Sequence, residues 1–325
     1  MEKSKFNKAT ERITFEAYDK DKRPLALSKV ASGLVFSPTT NVRIIALICI
    51  LLSAPCPVLN AQDSLASPAR LPRSVAADSA TAPRPADDTR YRLRTVVLDA
   101  GHGGKDIGCN GADAHEADVA LAIIKDLGRQ IESNMPGVKV IYTRKTNVFI
   151  ELDERAAIAN RNHADLFISV HCNAGPKGSR GTEVWTMGLH KTTANLGVAQ
   201  RENSVILQEK NYRQRYDGFD PRSPQSHILF SLFQSAYITN SLRLAQRIDR
   251  QFRTSVGRSS RGVKQAGFLV LWKSTMPSVL VEAGFLTDRS EENYLDNKAG
   301  QQAIAGGIYR AFREYKRDLE GTPAE

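Results

Sequence analysis

Cysteine, aromatic residues and long apolar runs are all scarce in this chain, and each scarcity closes off a class of protein. Four cysteines in 325 residues, with Cys49 and Cys56 in the leader and Cys109 and Cys172 in the body, leave too few for a disulfide framework. Two free thiols are the expected state of the body pair, although a bridge is permitted if their Cα atoms come within about 7 Å. Aromatics make up 7% of the chain, and no basic strip is interleaved with them. No Walker loop and no paired zinc-finger cysteines occur either, so nucleic acid is not an expected partner. No apolar run reaches the roughly 20 residues of a spanning helix, and no internal repeat is visible. What the chain has in excess is positive charge, +10, which suits an anionic partner such as a membrane surface or a cell-wall polymer.

The N-terminal third reads as export and spacer. Val42-Arg43 precedes the nine apolar residues Ile44 to Leu52, the length of a secretory signal core. Ala61-Gln62 is the expected cleavage point, with Leu59 larger than the usual small residue at minus three. Val42, read from a non-standard initiation codon, is the expected true start. Ser53-Ala54-Pro55-Cys56 is similar to a lipoprotein box, but proline directly before the cysteine argues against lipidation. No stable membrane anchor is therefore expected after signal removal, and the periplasm or an equivalent exported space is the expected location. Residues 1–61 are then leader. Residues 62–92, rich in Ala, Pro, Ser, Asp and Arg, read as an extended linker, 93–318 as the catalytic domain and 319–325 as a tail.

Within the domain, apolar runs alternate with helical patterns. Val96 to Leu98, Val138 to Thr143, Leu166 to His171, Gly181 to Met187, Gln265 to Leu271 and Pro277 to Phe285 read as strands. Glu116 to Asn134, closed by Pro136-Gly137, is an amphipathic helix. Glu151 to Asn162 and Lys298 to Lys316 are further helices, and an amphipathic one ends near Phe252. The expected fold is α/β, a mostly parallel twisted sheet covered by helices on both faces. A long insertion at about 188–249, with a helix-like stretch from Thr192 to Lys210, breaks the pattern.

Three of the strands end in groups with chemistry. Asp99-Ala100-Gly101-His102-Gly103-Gly104-Lys105-Asp106 presents a histidine among glycines, the Leu166 run ends at His171, and the Pro277 run carries Glu282 before Gly284. In open α/β sheets such endings converge at the carboxyl edge of parallel strands. Two histidines and acidic groups there compose a metal site of the hydrolytic kind, for which His115 or Glu116 could supply the third ligand. Neighbouring helical residues point about 100° apart, so one of them faces the metal, and spacing does not choose between them.

These pieces, with Arg155 to Asn160, Ala164 to Ala174 and Val281 to Leu286, resemble in order and content the zinc-dependent N-acetylmuramoyl-L-alanine amidases of peptidoglycan. The resemblance implies one zinc ion held by His102, Glu116 and His171, and Glu282 as catalytic base. It implies hydrolysis of the amide joining N-acetylmuramic acid to L-alanine, in wall remodelling and daughter-cell separation. Cys109 and Cys172 depart from what related sequences more often carry, and both could crowd or tune the site. Asp99 reads either as a carboxylate fixing a histidine tautomer or as one tying down its own turn. Arg155 reads as a substrate-carboxylate binder or a structural ion pair, Asn173 as a substrate contact or a cap, and Glu183 as a rival base. Ala194 to Ile206 is loosely similar to the inhibitory helix of division amidases, which a protein activator displaces. In that reading Glu202 takes the open metal position; in the other it is solvated on an ordinary amphipathic helix. Another wall-peptide zinc hydrolase, such as a carboxypeptidase, and a non-catalytic wall-binding protein of the same fold are the competing functions.

Overall fold

The computed structural model describes residues 92–231 and 237–321, so the signal core, the cleavage point and nearly all of the linker lie outside the described residues. The chain enters the sheet at β1 (Thr95–Ala100), crosses through α1 (Glu116–Asn134) to β2 (Lys139–Tyr142), and returns through α2 (Leu152–Arg161) to β3 (Leu166–Asn173). After β4 (Thr182–Met187) come α3 (Thr193–Asn203), a 3-10 turn at Ser204–Gln208, and the helices α4 (Tyr212–Arg215), α5 (Pro224–Ser231) and α6 (Ile238–Gln251). A π-turn at Phe252–Val256 leads into β5 (Ser260–Ala266), α7 (Leu269–Trp272), β6 (Ser278–Phe285), α8 (Arg289–Leu295) and α9 (Lys298–Glu320).

The strands form one sheet in the order β2-β1-β3-β6-β4-β5. All neighbouring pairs are parallel except β4 with β6. Every position of β3 and β6 is buried, which is why these strands read as nearly unbroken apolar runs: both of their faces are covered. The edge strands β2 and β5 are mostly half-exposed. One apolar layer, built on Ile123, Ile124, Leu127, Leu244, Ile248, Ile304 and Phe312, lies between the sheet and α1, α6 and α9. The other, with Phe167, Trp185, Leu280, Phe268 and Ile206, lies under α2, the α3 region and α7. No helix among the described residues is long and apolar enough to cross a membrane.

Some segments differ from the sequence reading, for local reasons. The strand expected at Gln265 to Leu271 stops at Ala266 and turns into α7. The Asn203 amide causes the turn: its Nδ2 donates to the Gly267 carbonyl at 2.7 Å and its Oδ1 accepts from the Leu269 N–H at 2.9 Å. The helix read from Thr192 to Lys210 tightens into the 3-10 turn after Asn203. The last helix continues to Glu320, past the boundary read at 318, and ends on Gly321 in the left-handed conformation (φ 63°). An eighth helix, α8, was not read from the pattern; its signal is Asp288, whose carboxylate accepts from the Ser290 and Glu291 N–H groups.

Candidate metal centre

Parallel pairing brings the three chemical strand endings to one edge. Ala100 at the end of β1 is level with Val170 of β3, and His171 is level with Glu282 of β6. His102, two residues beyond β1, adopts the left-handed conformation (φ 58°), which costs a non-glycine residue on the order of 1 kcal/mol. Two buried arginines hold the chain there. Arg155 donates to the carbonyls of Ala100 (2.6 Å) and His102 (2.8 Å), and Arg144 to those of Ala100 (3.0 Å) and Gly101 (2.6 Å). Gly101 has to be glycine because a Cβ there would lie 2.5 Å from the His171 ring.

Around this edge His102 Nε2, His171 Nδ1, Glu116 Oε1 and Glu202 Oε2 turn inward. The nitrogens are 3.2 Å apart; His102 Nε2 is 3.0 Å from Glu116 and 3.3 Å from Glu202, and His171 Nδ1 is 3.1 Å from each. Four ligands about 2.0 Å from a central ion in a tetrahedron stand about 3.3 Å from one another; the five separations that involve a histidine fit such edges, and all four ligand atoms lie within 4.8 Å of one another. Two imidazoles and two carboxylates are also a donor set that a divalent metal accepts, and the four residues could hold one.

The protonation of the cluster follows from its burial and its opposite charges. Burial alone would depress both histidines, but the facing carboxylates reverse this: Glu116 with Asp106 raises His102 well above its ordinary value, and Glu202 with Glu116 raises His171 to about 9. Burial would raise Glu116, and the charge and hydrogen bonds of the imidazoles bring it down to about 2. Glu202 is held well below the usual carboxylate range, against its burial, by His171, His102 and Arg201.

His115 and Glu116 point in different directions. His115 is exposed and pairs with Asn110 Oδ1 at 2.8 Å, whereas Glu116 is 1% exposed and points at the cluster. Glu116 is fixed by the Cys172 N–H on Oε1 and the Cys109 N–H on Oε2, both at 2.8 Å. The thiols themselves stay out of the ligand set. Both cysteines are free, burial pushes both thiols up, and Cys172 belongs to the apolar layer on the other side of the sheet from His171.

Asp99 does not orient a histidine. Its hydrogen-bond partners among the described residues are Thr143 and Ser169 (2.6 Å each) and Arg155 (2.8 Å), so it anchors the arginine that shapes the loop. Burial would raise its carboxyl, and Arg155 with the two hydroxyls brings it below its ordinary value. Arg155 is thereby a structural ion pair rather than a substrate binder, 1% exposed and fully engaged. The carboxylate that does orient His102 is Asp106, 2.8 Å from Nδ1. Its signal lay in the quoted loop, four residues after the histidine.

Glu282 is wholly buried, and no donor among the described residues hydrogen-bonds either carboxylate oxygen. Burial, reinforced by the charge of Glu202, pushes it well above the ordinary range, opposed by Arg201, whose Nη2 stands 3.8 Å away. Asn173 accepts from Arg201 Nη2 (2.7 Å) and donates to Glu183 (3.0 Å), so it is neither a cap nor free. Glu183 is bound by Arg261 (2.8 Å) and Lys264 (2.6 Å), which occupies the carboxylate that sequence allowed as a rival base.

A family profile described as N-acetylmuramoyl-L-alanine amidase matches residues 96–314, the whole span that carries the sheet and the cluster. The chain belongs to this amidase family. Among its amidase relatives, AmiC of Escherichia coli O6:H1 is 33% identical over 242 residues, which cover 73% of this chain and 56% of that protein. AmiA of Escherichia coli K12 is 35% identical over 228 residues, covering 68% of this chain and 76% of AmiA. The chain thus spans little more than half of the first relative and about three quarters of the second. The crystal structure of the N-acetylmuramoyl-L-alanine amidase from Clostridium difficile 630 superposes with a TM-score of 0.52 at 28% identity, over 69% of this chain and 97% of that amidase.

Proposed function

We propose that this chain is a zinc-dependent N-acetylmuramoyl-L-alanine amidase. It would cleave the amide between the lactyl group of N-acetylmuramic acid and the L-alanine of the wall peptide, for wall remodelling and cell separation. The observation that carries the reading is the pairing of a compact two-histidine, two-carboxylate cluster with a separate buried glutamate that has no hydrogen-bond donor among the described residues. His102, Glu116 and His171 would hold the metal, with Asp106 fixing the His102 ring. A zinc ion bound there supplies a water of lowered pKa and polarises the amide carbonyl. Glu282, level with His171 across β3 and β6, takes the proton of the attacking water and delivers it to the departing alanine nitrogen.

In this state α3 closes the site. Glu202, 3.3 Å from His102 Nε2 and 3.1 Å from His171 Nδ1, would hold a bound metal in place of the catalytic water, and Arg201 stands 3.8 Å from Glu282. An activator protein that displaces α3 and raises a low basal rate is therefore the expected partner beside peptidoglycan. The signal core at 44–52 and the place of the substrate put the enzyme outside the cytoplasmic membrane, in the periplasm or an equivalent exported space.

Digestion of purified sacculi tests the chemistry. The wild-type protein should release intact peptides that begin with L-alanine, while Glu282→Gln should keep the metal and lose at least about a hundredfold in rate. Release of single amino acids would point to a carboxypeptidase. Near wild-type rates in Glu282→Gln would remove it as the base.

A further inference from the structure

Beside the metal centre, the carboxyl edge of the sheet carries a second constellation that the hydrolytic step does not use. Across the strand order, the metal cluster stands at β1 and β3, Glu282 at β6, Glu183 at β4, and Arg261 and Lys264 at β5. Glu183 is level with Glu282 in the β4 and β6 pairing. A cavity of about 340 Å³ opens here, lined among others by Asn173, Glu183, Arg201, Arg261, Lys264 and Phe285.

The two cations of β5 are placed by a distortion of the strand. Residues 261 and 264 differ by an odd number, so in a regular strand they would face opposite sides of the sheet. The register slips instead: Thr182 pairs with Ser260 but Val184 with Val263, which inserts one extra residue into β5. Gly262, at φ 85°, lies in that bulge. Both cations consequently reach the same oxygen, Glu183 Oε1, with Arg261 Nε at 2.8 Å and Lys264 Nζ at 2.6 Å. Bulges re-aim side chains in this way beside functional sites. Arg261 also stacks over the Phe285 ring, 5.0 Å from the centroid, and Lys264 over Trp185 at 5.2 Å.

One carboxylate thus holds two cations, and the pocket keeps an unbalanced positive charge even without Arg201. Glu183 engages only Nε of Arg261, whose side chain remains 47% exposed. The position of this charge relative to the reacting atoms is informative, and here the inference rests on the amidase reading. The base hands its proton to the departing nitrogen, so the peptide half of the substrate leaves on the side where Glu282 stands. That side is the β6-β4-β5 side, where the cationic pocket lies.

We infer that the bulged pair Arg261 and Lys264, set by Glu183, is a specificity site that binds a carboxylate of the wall peptide, on the acidic residue that follows the alanine. Glu183 and Asn173 are positioning residues for it. Asn173 also joins the pocket to Arg201 of α3, so the same polar chain runs from the gate to the peptide site.

The test compares two N-acetylmuramoyl peptides that are identical except that the residue after alanine carries a carboxylate in one and a carboxamide in the other. With the full-length protein, the carboxylate substrate should have a KM about five- to tenfold lower, with kcat within about threefold. The corresponding free alanyl peptides, measured by calorimetry, should show the same preference in binding without any turnover. Arg261→Gln with Lys264→Gln should reduce the preference to under about twofold, and Lys264→Arg should retain it. Because wild type is tested with both ligands, the result does not depend on the double variant folding; Arg261→Gln alone, which leaves Lys264 on Glu183, should give an intermediate preference. Equal affinity of wild type for the two peptides, or a preference unaffected by both glutamine substitutions, overturns the inference and leaves the amidase reading standing. Absence of hydrolysis with both substrates, in the wild type and in Glu202→Ala alike, overturns the amidase reading, while the calorimetric arm still decides whether the carboxylate is bound.

Discussion

Glu202 and Glu282 are both buried and both within reach of Arg201, yet their surroundings drive their carboxyls in opposite directions. Glu202 faces two imidazoles and is held as an anion, fit to hold a cation. Glu282 faces Glu202 and, at 3.8 Å, the arginine, and is pushed toward the neutral acid. The histidines give a further expectation with a definite sign. With His171 raised to about 9, its ring carries a proton near pH 7.5 in the metal-free protein, and the facing carboxylates shift His102 in the same direction. A metal accepts only neutral imidazole, so its uptake must expel that proton, and affinity should climb with pH until about 9. Calorimetric titration of the metal-free protein with zinc in buffers of different ionisation enthalpy should show net proton release at pH 7.5. His102→Ala and His171→Ala should fail to retain zinc. A buffer-independent enthalpy would mean that the rings are already neutral and that the facing carboxylates do not protonate them.

Among the elements, α3 is unusual in what it buries. The buried positions of the helix are Asn195, Ala199, Glu202 and Asn203, three polar side chains and one small apolar one, and the larger apolar anchors, Val205 and Ile206, come from the following turn. A helix seated by polar contacts can be exchanged for another partner at low cost, because water or a ligand can replace those contacts, whereas exposing an apolar face would cost about 25 cal/mol per Å². Glu202→Ala or deletion of residues 192–210 should therefore raise basal hydrolysis, without raising activity at saturating activator. Unchanged basal activity in a folded, zinc-loaded Glu202→Ala protein would exclude this ligand, and the same result in the deletion would exclude the gate. The elements also divide by how they were written in the sequence. The helix α1 and the strands β3 and β6 were legible because burial imposes a strong pattern on them; Glu116, His171 and Glu282 sat on these elements, and His102 sat in the glycine-rich loop just past β1. Asp106 and Arg144 were not singled out, since a polar side chain bonded to a loop carbonyl or a ring nitrogen leaves no periodicity. The turn at Gly267 was misread as strand because the Asn203 side chain that makes it lies some sixty residues earlier.

At the scale of the whole molecule, the four cluster residues come from well-separated parts of the chain: the β1 loop, the start of α1, the end of β3, and α3. The sheet already fixes the first three, since β1 and β3 are neighbours and the backbone N–H groups of Cys109 and Cys172 clamp Glu116. Glu202 is different, because its helix belongs to the insertion between β4 and β5 and crosses to the cluster over the sheet edge. A bound metal would therefore do two things, stabilise the fold by binding only the native state and pin the insertion to it. At a zinc concentration about a thousand times its Kd, the first effect is worth about 4 kcal/mol, or roughly 8 to 16 °C in Tm for a domain of this size. Chelation should accordingly lower Tm by several degrees and expose residues 192–210 to protease before the sheet yields. Glu202→Ala should show the second effect in isolation. With zinc present its insertion should be cut about as fast as in the chelated wild type, while the zinc-dependent gain in Tm shrinks but does not vanish, because three ligands remain. If chelation leaves both the melting curve and the cleavage pattern of the wild-type protein unchanged, the cluster does not hold a metal that matters to this fold. If Tm falls but the insertion is cut no faster, the metal binds and Glu202 is not among its ligands.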